Sequence, residues 1–281
     1  MLYIELHSHS YFSLLDGVPS PEELVKQAIK WDMPAIALSD HNGLYGIPRF
    51  WKAAQKAGIK AVIGCEISLA NKGGHITLLA ENQIGYSNLC HLITLSHHRG
   101  KKGKAVLQEN TLIENSVGLI ALSGCRKSPI VQALIARDYK AATHIASRYS
   151  EIFGQDCFFL EIQNHHERND HHINTGLKNI SNKLNIPLVA TGNVHYLTPE
   201  DAPLHDILTC IRHRLPLERA TNHLRTNHEY YFRSPQQMKK LFNEWPQSIS
   251  NTFSIAERCL VHLPAGPQTL PQIQLSPQMN S

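Results

Sequence analysis

Two histidines separated by one residue, His7 and His9, follow the first apolar run of the chain, Leu2–Leu6. On an extended segment, residues at this spacing point to the same side, so both imidazoles could bind one metal ion. Polar residues also alternate by chance in half-exposed strands. Taken alone, the His-x-His pattern leaves both explanations open.

Further potential ligands lie at or near the ends of the other apolar runs that we predict to be strands. They are Asp16, Asp40, His41, Glu66, His75, Cys125, Asn193 and His195. Glu66 is the strongest signal, because a carboxylate inside an apolar strand is costly to bury unless it is paired or bound to a metal. The others have second explanations: Asp40 could cap a turn, and Cys125 could fill space in the core.

These residues all lie at or near the ends of predicted strands. In a parallel barrel the carboxyl ends of the strands converge on one face, so the groups could meet although they span most of the chain. Chance would seldom place a nitrogen, oxygen or sulfur ligand at six strand ends. Imidazoles, carboxylates and one thiolate together favour zinc, manganese or iron. The sequence therefore predicts two or three divalent transition-metal ions.

Apolar runs and helical segments alternate along the chain. The predicted strands are Leu2–Leu6, Ala35–Leu38, Lys60–Leu69, His75–Ala80, Gly118–Leu122, Cys157–Ile162 and Pro187–Ala190. Helices are predicted between them, one beginning at Ser20-Pro21-Glu22-Glu23 and another ending at Gly58. Such alternation favours an α/β fold whose parallel sheet closes into a barrel. We expect one domain over residues 1–263 and a disordered tail, rich in Pro and Gln, over 264–281.

Composition narrows the possible classes of protein. The chain has 281 residues, a net charge of +4, 18 histidines and six cysteines. No two of the cysteines form a C-x-x-C pair, and this absence excludes a zinc ribbon. No apolar stretch is long enough to span a membrane, and no signal peptide opens the sequence, so we expect a cytoplasmic protein. The histidine pairs at 97–98, 165–166 and 171–172 are predicted to lie on the surface.

Six motifs carry a family resemblance. In chain order they are HSHSYFSLLDG, SDHNGLYGIPRF, GCE, GHITLLAEN, GLIALSGC and PLVATGNVHYLTPEDA. This series resembles the PHP (polymerase and histidinol phosphatase) domain, as found at the N-terminus of bacterial DNA polymerase III alpha subunits and error-prone polymerases. The resemblance extends from Leu2 to Leu263. It implies a distorted (β/α)7 TIM-like barrel with a trinuclear metal site.

The resemblance also implies a ligand set for each ion. The first set consists of His7, His9, Glu66 and Asn193. The second consists of Glu66, as a bridge, His75 and Cys125. The third consists of Asp16, His41 and His195. Asp40 would orient these ligands without binding an ion itself.

Asn193 departs from the family pattern, which has an aspartate there. Because an amide oxygen carries no charge, we expect the first ion to bind more weakly. A second departure is that the chain has no room for the polymerase domains, so we expect no polymerisation by this chain itself.

We expect hydrolysis of a phosphoester by a metal-bound hydroxide. The expected catalytic residues are His7, His9, Asp40, Glu66 and His195. By resemblance, the substrate would be the 3′ end of single-stranded DNA, cleaved by a 3′–5′ exonuclease, and the partner a polymerase assembly. Two alternatives stay open: a non-catalytic module that docks to such an assembly, favoured by Asn193, and a stand-alone phosphatase acting on a small phosphomonoester.

Overall fold

The computed structural model describes residues 2–70, 74–100 and 103–263. Six strands form one sheet within these residues. They are β1 (Ala35–Leu38), β2 (Lys60–Ser68), β3 (His75–Ala80), β4 (Leu119–Leu122), β5 (Phe158–Ile162) and β6 (Leu188–Ala190). The strands predicted from Ala35 onward are confirmed. The tail predicted over 264–281 lies outside the described residues, so the domain boundary after Leu263 stays a prediction.

Ten α-helices precede, connect or follow these strands in the described part of the chain. They are α1 (Pro21–Lys30), α2 (Ile47–Ala57), α3 (Gln83–Arg99), α4 (Glu109–Glu114), α5 (Pro129–Ile135), α6 (Tyr139–Phe153), α7 (Asp170–Leu184), α8 (Ala202–His213), α9 (Pro235–Leu241) and α10 (Pro246–Arg258). The predicted start of α1 is confirmed by a capping box, in which Ser20 and Glu23 satisfy each other's backbone N–H groups. Gly58 ends α2 at φ +73°. None of the described helices is long and apolar enough to cross a bilayer.

The sheet order is β1-β2-β3-β4-β5-β6, but the sheet is not all parallel as predicted. β3 runs antiparallel to both β2 and β4. The pairing of β2 with β3 follows from the short connection between Ser68 and His75, because a parallel pair needs a crossover of about a dozen residues or more. The start of β3 therefore lies beside the end of β2, where His75 pairs with Ser68.

The segment Leu2–Leu6 was predicted as a strand, and this is wrong. The segment is extended, but its backbone hydrogen bonds, with those of the next residues, go partly to β1 and partly to the loop after β6. No continuous ladder therefore forms with either neighbour. The N–H of Ala37 in β1 donates to Glu5 O at 2.9 Å, and the N–H of Val194, after β6, donates to His7 O at 2.9 Å. The segment thus lies between the two edges of the sheet. A complete (β/α)7 barrel stays a prediction.

Alternate residues of each strand point to opposite faces of the sheet. One face packs against the surrounding helices in the larger core cluster. The other face carries a smaller apolar cluster, with Val62, Leu79 and Phe159 among its members, and α10 closes it with Ile255. Further along the same face the side chains become polar, and this polar end holds the candidate site.

Candidate metal centre

Glu66 occupies the middle of the polar end of this face. It lies on the same side of β2 as Val62 and is 1% exposed. Three imidazole nitrogens approach one of its carboxylate oxygens, Oε2: Nε2 of His7 at 3.1 Å, Nε2 of His9 at 3.3 Å and Nδ1 of His41 at 3.4 Å. The other oxygen, Oε1, has two further neighbours, so residues from four separate segments of the chain meet at this carboxylate.

Those two neighbours of Oε1 are the ring of His75 and the thiol of Cys125. Nδ1 of His75 contacts Oε1, and Sγ of Cys125 lies 3.3 Å from the same oxygen. Sγ is also 3.9 Å from Nδ1 of His75. Because β3 is antiparallel, His75 reaches this site from the beginning of its strand, whereas Cys125 reaches it from the loop after β4.

The ring of His7 has a carboxylate oxygen beside each of its nitrogens. Nδ1 is 2.7 Å from Oε1 of Glu161, and Nε2 faces Glu66. A neutral imidazole has one N–H, so one of these two contacts would set a lone pair against a carboxylate oxygen. A second proton or a metal ion between the groups resolves the conflict. The donor set therefore fits a divalent cation.

His41 also has a carboxylate oxygen beside each of its ring nitrogens. Its Nε2 lies 2.8 Å from Oδ2 of Asp16, and its Nδ1 faces Glu66. The second oxygen of Asp16 is 3.5 Å from Nε2 of His205 and 2.9 Å from an Nη1 atom of Arg212. Nε2 of His205 is buried and has no hydrogen-bond partner among the described residues. This lone nitrogen beside a carboxylate also fits a cation.

Asn193 joins two of the histidines through its side-chain oxygen. Oδ1 is 3.2 Å from Nε2 of His9 and 3.2 Å from Nε2 of His195, while Nδ2 donates to Oε1 of Gln163 at 3.5 Å. Its backbone has φ +44°, a left-handed conformation that asparagine adopts more readily than most residues. The amide therefore presents its oxygen, its metal-binding atom, to the site.

Asp40 supports the loop that follows His9. It accepts hydrogen bonds from the backbone N–H of Ser10 at 2.7 Å and from the hydroxyl of Ser13 at 2.7 Å. The Ser13 hydroxyl lies 3.4 Å from Nδ1 of His9 and accepts the N–H of His41 at 3.1 Å. Asp40 thus reaches His9 and His41 through Ser13, and its role in orienting them stays a prediction.

Two groups of the site, Glu66 and His9, have the charges of metal ligands. Burial raises the pKa of Glu66, but the imidazoles of His75 and His41 outweigh it and hold the pKa well below its usual value. Burial and the charge of His41 lower the pKa of His9 to about 4. Near neutral pH, Glu66 is therefore ionised and His9 is neutral, which are the forms that bind metal ions.

Comparison with known proteins identifies the family of the chain. A model of the PHP domain family matches residues 5–165. The chain belongs to the PHP domain family. An error-prone DNA polymerase of Symbiobacterium thermophilum is 35% identical over 98% of this chain, and the DNA polymerase III subunit alpha of Treponema pallidum is 33% identical over 100% of it. The chain covers 26% and 25% of these relatives, so it spans about a quarter of their length.

Similarity to solved structures is lower. A structure from Bifidobacterium adolescentis, of a candidate metal-dependent phosphoesterase, has a TM-score of 0.46 and 14% identity, covering 69% of this chain and 88% of that chain. A likeness at this level carries no weight for activity.

The PHP domain brings together the residues predicted from its sequence, but their grouping differs. His41 lies with Glu66 and His75, and His205 takes its place beside Asp16 and His195. The groups of side chains close enough for one ion are His7, His9 and Glu66; His41, Glu66 and His75; and Asp16, His195 and His205. His205 was not predicted. It lies on the buried face of α8, and no neighbouring motif distinguishes it from an ordinary polar helix residue.

Glu161 of this PHP domain was also not selected, although a signal was present. It is a carboxylate in the apolar run FFLEI, as Glu66 is in VIGCEISL. In β5 it faces the same side as Phe159 and contacts His7 directly. The cost of burying a carboxylate in an apolar strand, which points to Glu66, points equally to Glu161.

His165 was predicted to lie on the surface, and this is wrong. It is 1% exposed, its Nε2 lies 2.8 Å from Gly192 O, and its ring stacks on Tyr230 at 3.8 Å. The partner carbonyl lies beyond α7 and β6 in sequence, so nothing local to the pair His165-His166 predicts the burial. His97, His98, His166 and His171 are exposed as predicted.

Proposed function

We propose that this PHP domain is a metal-dependent phosphoester hydrolase that acts on the 3′ end of single-stranded DNA as a 3′–5′ exonuclease. The observation that carries the proposal is the convergence of four imidazoles and a thiol on Glu66. Both ring nitrogens of His7 face carboxylate oxygens. Such a site favours cations, and a site that concentrates cations suits an anionic phosphoester.

Three sets of side chains would hold the ions. His7, His9, Asn193 and Glu66 would hold one ion, and Glu66 would also serve a second ion with His41, His75 and Cys125. Asp16, His195 and His205 would hold a third. Divalent zinc, manganese or iron at these positions would lower the pKa of water towards neutrality and offset charge on the phosphoryl oxygens.

The remaining residues position these ligands. Glu161 fixes the ring of His7 from behind, and Asp40 holds the loop that carries Ser13 beside His9. Neutral His195 lies within the same set, because burial and the charge of Arg225 lower its pKa well below its usual value. The neutral ring is the form that binds a metal ion.

The relatives support DNA as the substrate and a polymerase assembly as the partner, since both are DNA polymerases. Because the chain spans about a quarter of their length, polymerase activity is not part of the proposal. Residues 2–263 would act as one catalytic domain.

One observation favours a second function, that of a non-catalytic module which stabilises a polymerase assembly. Asn193 supplies a neutral oxygen to His9 and His195, where an aspartate would supply a negative one. A loss of one charge weakens the attraction for a cation at the position that faces both histidines. Such a module would keep its ions for structure.

Metal content and hydrolysis should be measured together to separate these functions. The wild type and His9→Ala are assayed with manganese or zinc on end-labelled single-stranded DNA and on a phosphomonoester, with the exposed His98→Ala as a control. We expect the wild type and His98→Ala to shorten DNA from its 3′ end, and His9→Ala to lose at least tenfold in rate.

Three results would contradict the exonuclease. Equal rates of hydrolysis in the wild type and His9→Ala would contradict the assignment of His9 to the active site. Bound metal without turnover of either substrate would favour the structural module. Turnover of the monoester alone would favour a small-molecule phosphatase.

A further inference from the structure

The cleft above the candidate metal centre is lined by four cationic side chains, Arg126, Lys127, Arg212 and Arg225, and two of them are paired with carboxylates. Arg126 lies against Glu167, 3.2 Å from its carboxylate, and also contacts Asp170. Arg212 contacts Asp16 at 2.9 Å. Arg225 lines the same cleft and differs from both.

Arg225 forms no hydrogen bond or ion pair with any residue that the structure describes. Its Nε is shielded from solvent and has no partner. A shielded guanidinium N–H without an acceptor costs free energy, because the lost hydrogen bonds to water are not replaced. An anionic ligand in the cleft would replace them.

Its side chain is nevertheless fixed in place. The guanidinium carbon lies 3.5 Å above the ring centroid of Tyr230, a cation–π contact that uses none of the N–H groups. The ring of His165 stacks on Tyr230 at 3.8 Å, and the Tyr230 hydroxyl donates to Glu167 at 2.8 Å. Tyr230 itself is buried, so it forms a rigid platform for Arg225.

The platform also sets Arg225 beside the proposed ligands. The ring of Tyr230 is 5.9 Å from that of His195, which is a member of the third ligand group. Arg225 and His195 line the same cleft with Asp16, His41 and Glu66. A phosphoryl group at the ions would therefore lie within reach of a guanidinium whose N–H groups are free.

We propose that Arg225 binds the non-bridging oxygens of the substrate's phosphoryl group, held for this purpose by Tyr230. A planar guanidinium donates two parallel N–H groups to a phosphate, which gives orientation as well as charge. The inference rests on the proposed function, because it concerns the same cleft. It assigns phosphate recognition to a residue that binds no metal ion.

Binding of inorganic phosphate tests this role without turnover. Calorimetric titration is carried out on the manganese-loaded protein and again after chelation, for the wild type, Arg225→Gln and Arg225→Lys. Arg219→Gln is the matched control, because it removes the same charge from an exposed position outside the cleft. Thermal melting of each variant checks that it is folded.

We expect Arg225→Gln to bind phosphate at least about tenfold more weakly than the wild type, as for loss of a charge-assisted hydrogen bond. Arg225→Lys should fall between them, since it keeps the charge and loses the two parallel donors. Arg219→Gln should match the wild type. In the DNA assay, Arg225→Gln should raise KM more than it lowers kcat.

The proposal is overturned if folded Arg225→Gln binds phosphate as tightly as the wild type, or if the wild type binds no phosphate in either metal state. Phosphate binding that depends on Arg225 in a protein that hydrolyses nothing would contradict the exonuclease and keep the role of Arg225. Hydrolysis of DNA with an unchanged KM in Arg225→Gln would support the exonuclease and contradict the role of Arg225.

Discussion

Glu161 lies directly behind His7, with its Oε1 2.7 Å from Nδ1, so that Nε2 on the opposite side of the ring faces Glu66. A carboxylate in this position keeps the proton on Nδ1 and leaves the Nε2 lone pair for an ion. It also accepts the backbone N–H of Gly124 at 3.1 Å, which links it to the loop that carries Cys125.

We therefore expect Glu161→Gln to lower affinity for the ion at His7 by about 10- to 100-fold, the usual effect of removing such a supporting group. Competition with a metal-binding indicator measures this affinity. Glu151→Gln, at an exposed position on α6, serves as the control. Equal affinities in the two variants would show that Glu161 has no role in metal binding.

Asn193→Asp should increase metal occupancy and hydrolysis together, because it adds a negative charge at the oxygen that faces His9 and His195. Occupancy is measured by elemental analysis after dialysis against limiting manganese. Asn193→Gly, which suits φ +44° but has no side-chain oxygen, separates the backbone from the ligand. It should be folded and have lower occupancy than the wild type, and an unchanged occupancy in both variants would contradict a ligand role.

His205→Gln should remove one ion from the third group and leave the ions at Glu66 in place. Nε2 of His205 is buried beside Asp16 without a hydrogen-bond partner in the described chain, so it is available to a cation. We expect about one metal ion fewer per chain, whereas the exposed His98→Gln should match the wild type. Full occupancy in His205→Gln would restrict the third group to the residues predicted from the sequence.

Stability should decrease as the pH falls below about 6.5. Burial and the nearby arginines lower the pKa of His165 well below its usual value, even though its contact with Gly192 O opposes this. The unfolded chain therefore binds a proton at His165 that the native state does not bind. The stabilisation is complete above the unfolded pKa and is lost as the pH falls towards the folded pKa.

Urea unfolding at pH 7.5 and pH 5.5 measures this dependence in the wild type, His165→Gln and the exposed His171→Gln. We expect His165→Gln to reduce the loss of stability by up to about 1.4 kcal/mol per pH unit, the limit for one proton. His171→Gln should keep the wild-type dependence. The same dependence in all three proteins would mean that His165 titrates normally.

Much of the candidate site could be predicted from the sequence, because polar residues in and after apolar strands leave local signals. Glu66 was identified by the cost of burying a carboxylate in an apolar run, and the same rule applies to Glu161. The direction of β3 was also available, since the connection after Ser68 is too short for a crossover. His75 therefore had to reach the site from the start of its strand.

Other features depend on contacts between distant residues. The burial of His165 depends on a carbonyl 27 residues away and on stacking against Tyr230, neither of which leaves a pattern around His165. The role of His205 depends on how α8 packs and which side it turns towards Asp16. The unpaired state of Arg225 is equally a property of the folded cleft.

The extended segment that carries His7 and His9 has a consequence for synthesis of the protein. Glu5 accepts the N–H of Gly192, 187 residues later in the chain, and His9 donates its N–H to Val194 O at 2.8 Å. On the ribosome, the two histidines emerge long before the residues that fix them. The arrangement of His7 and His9 in the folded protein therefore requires synthesis of the chain beyond Val194, and a nascent chain stalled before Gly192 would lack the contacts that fix these two histidines.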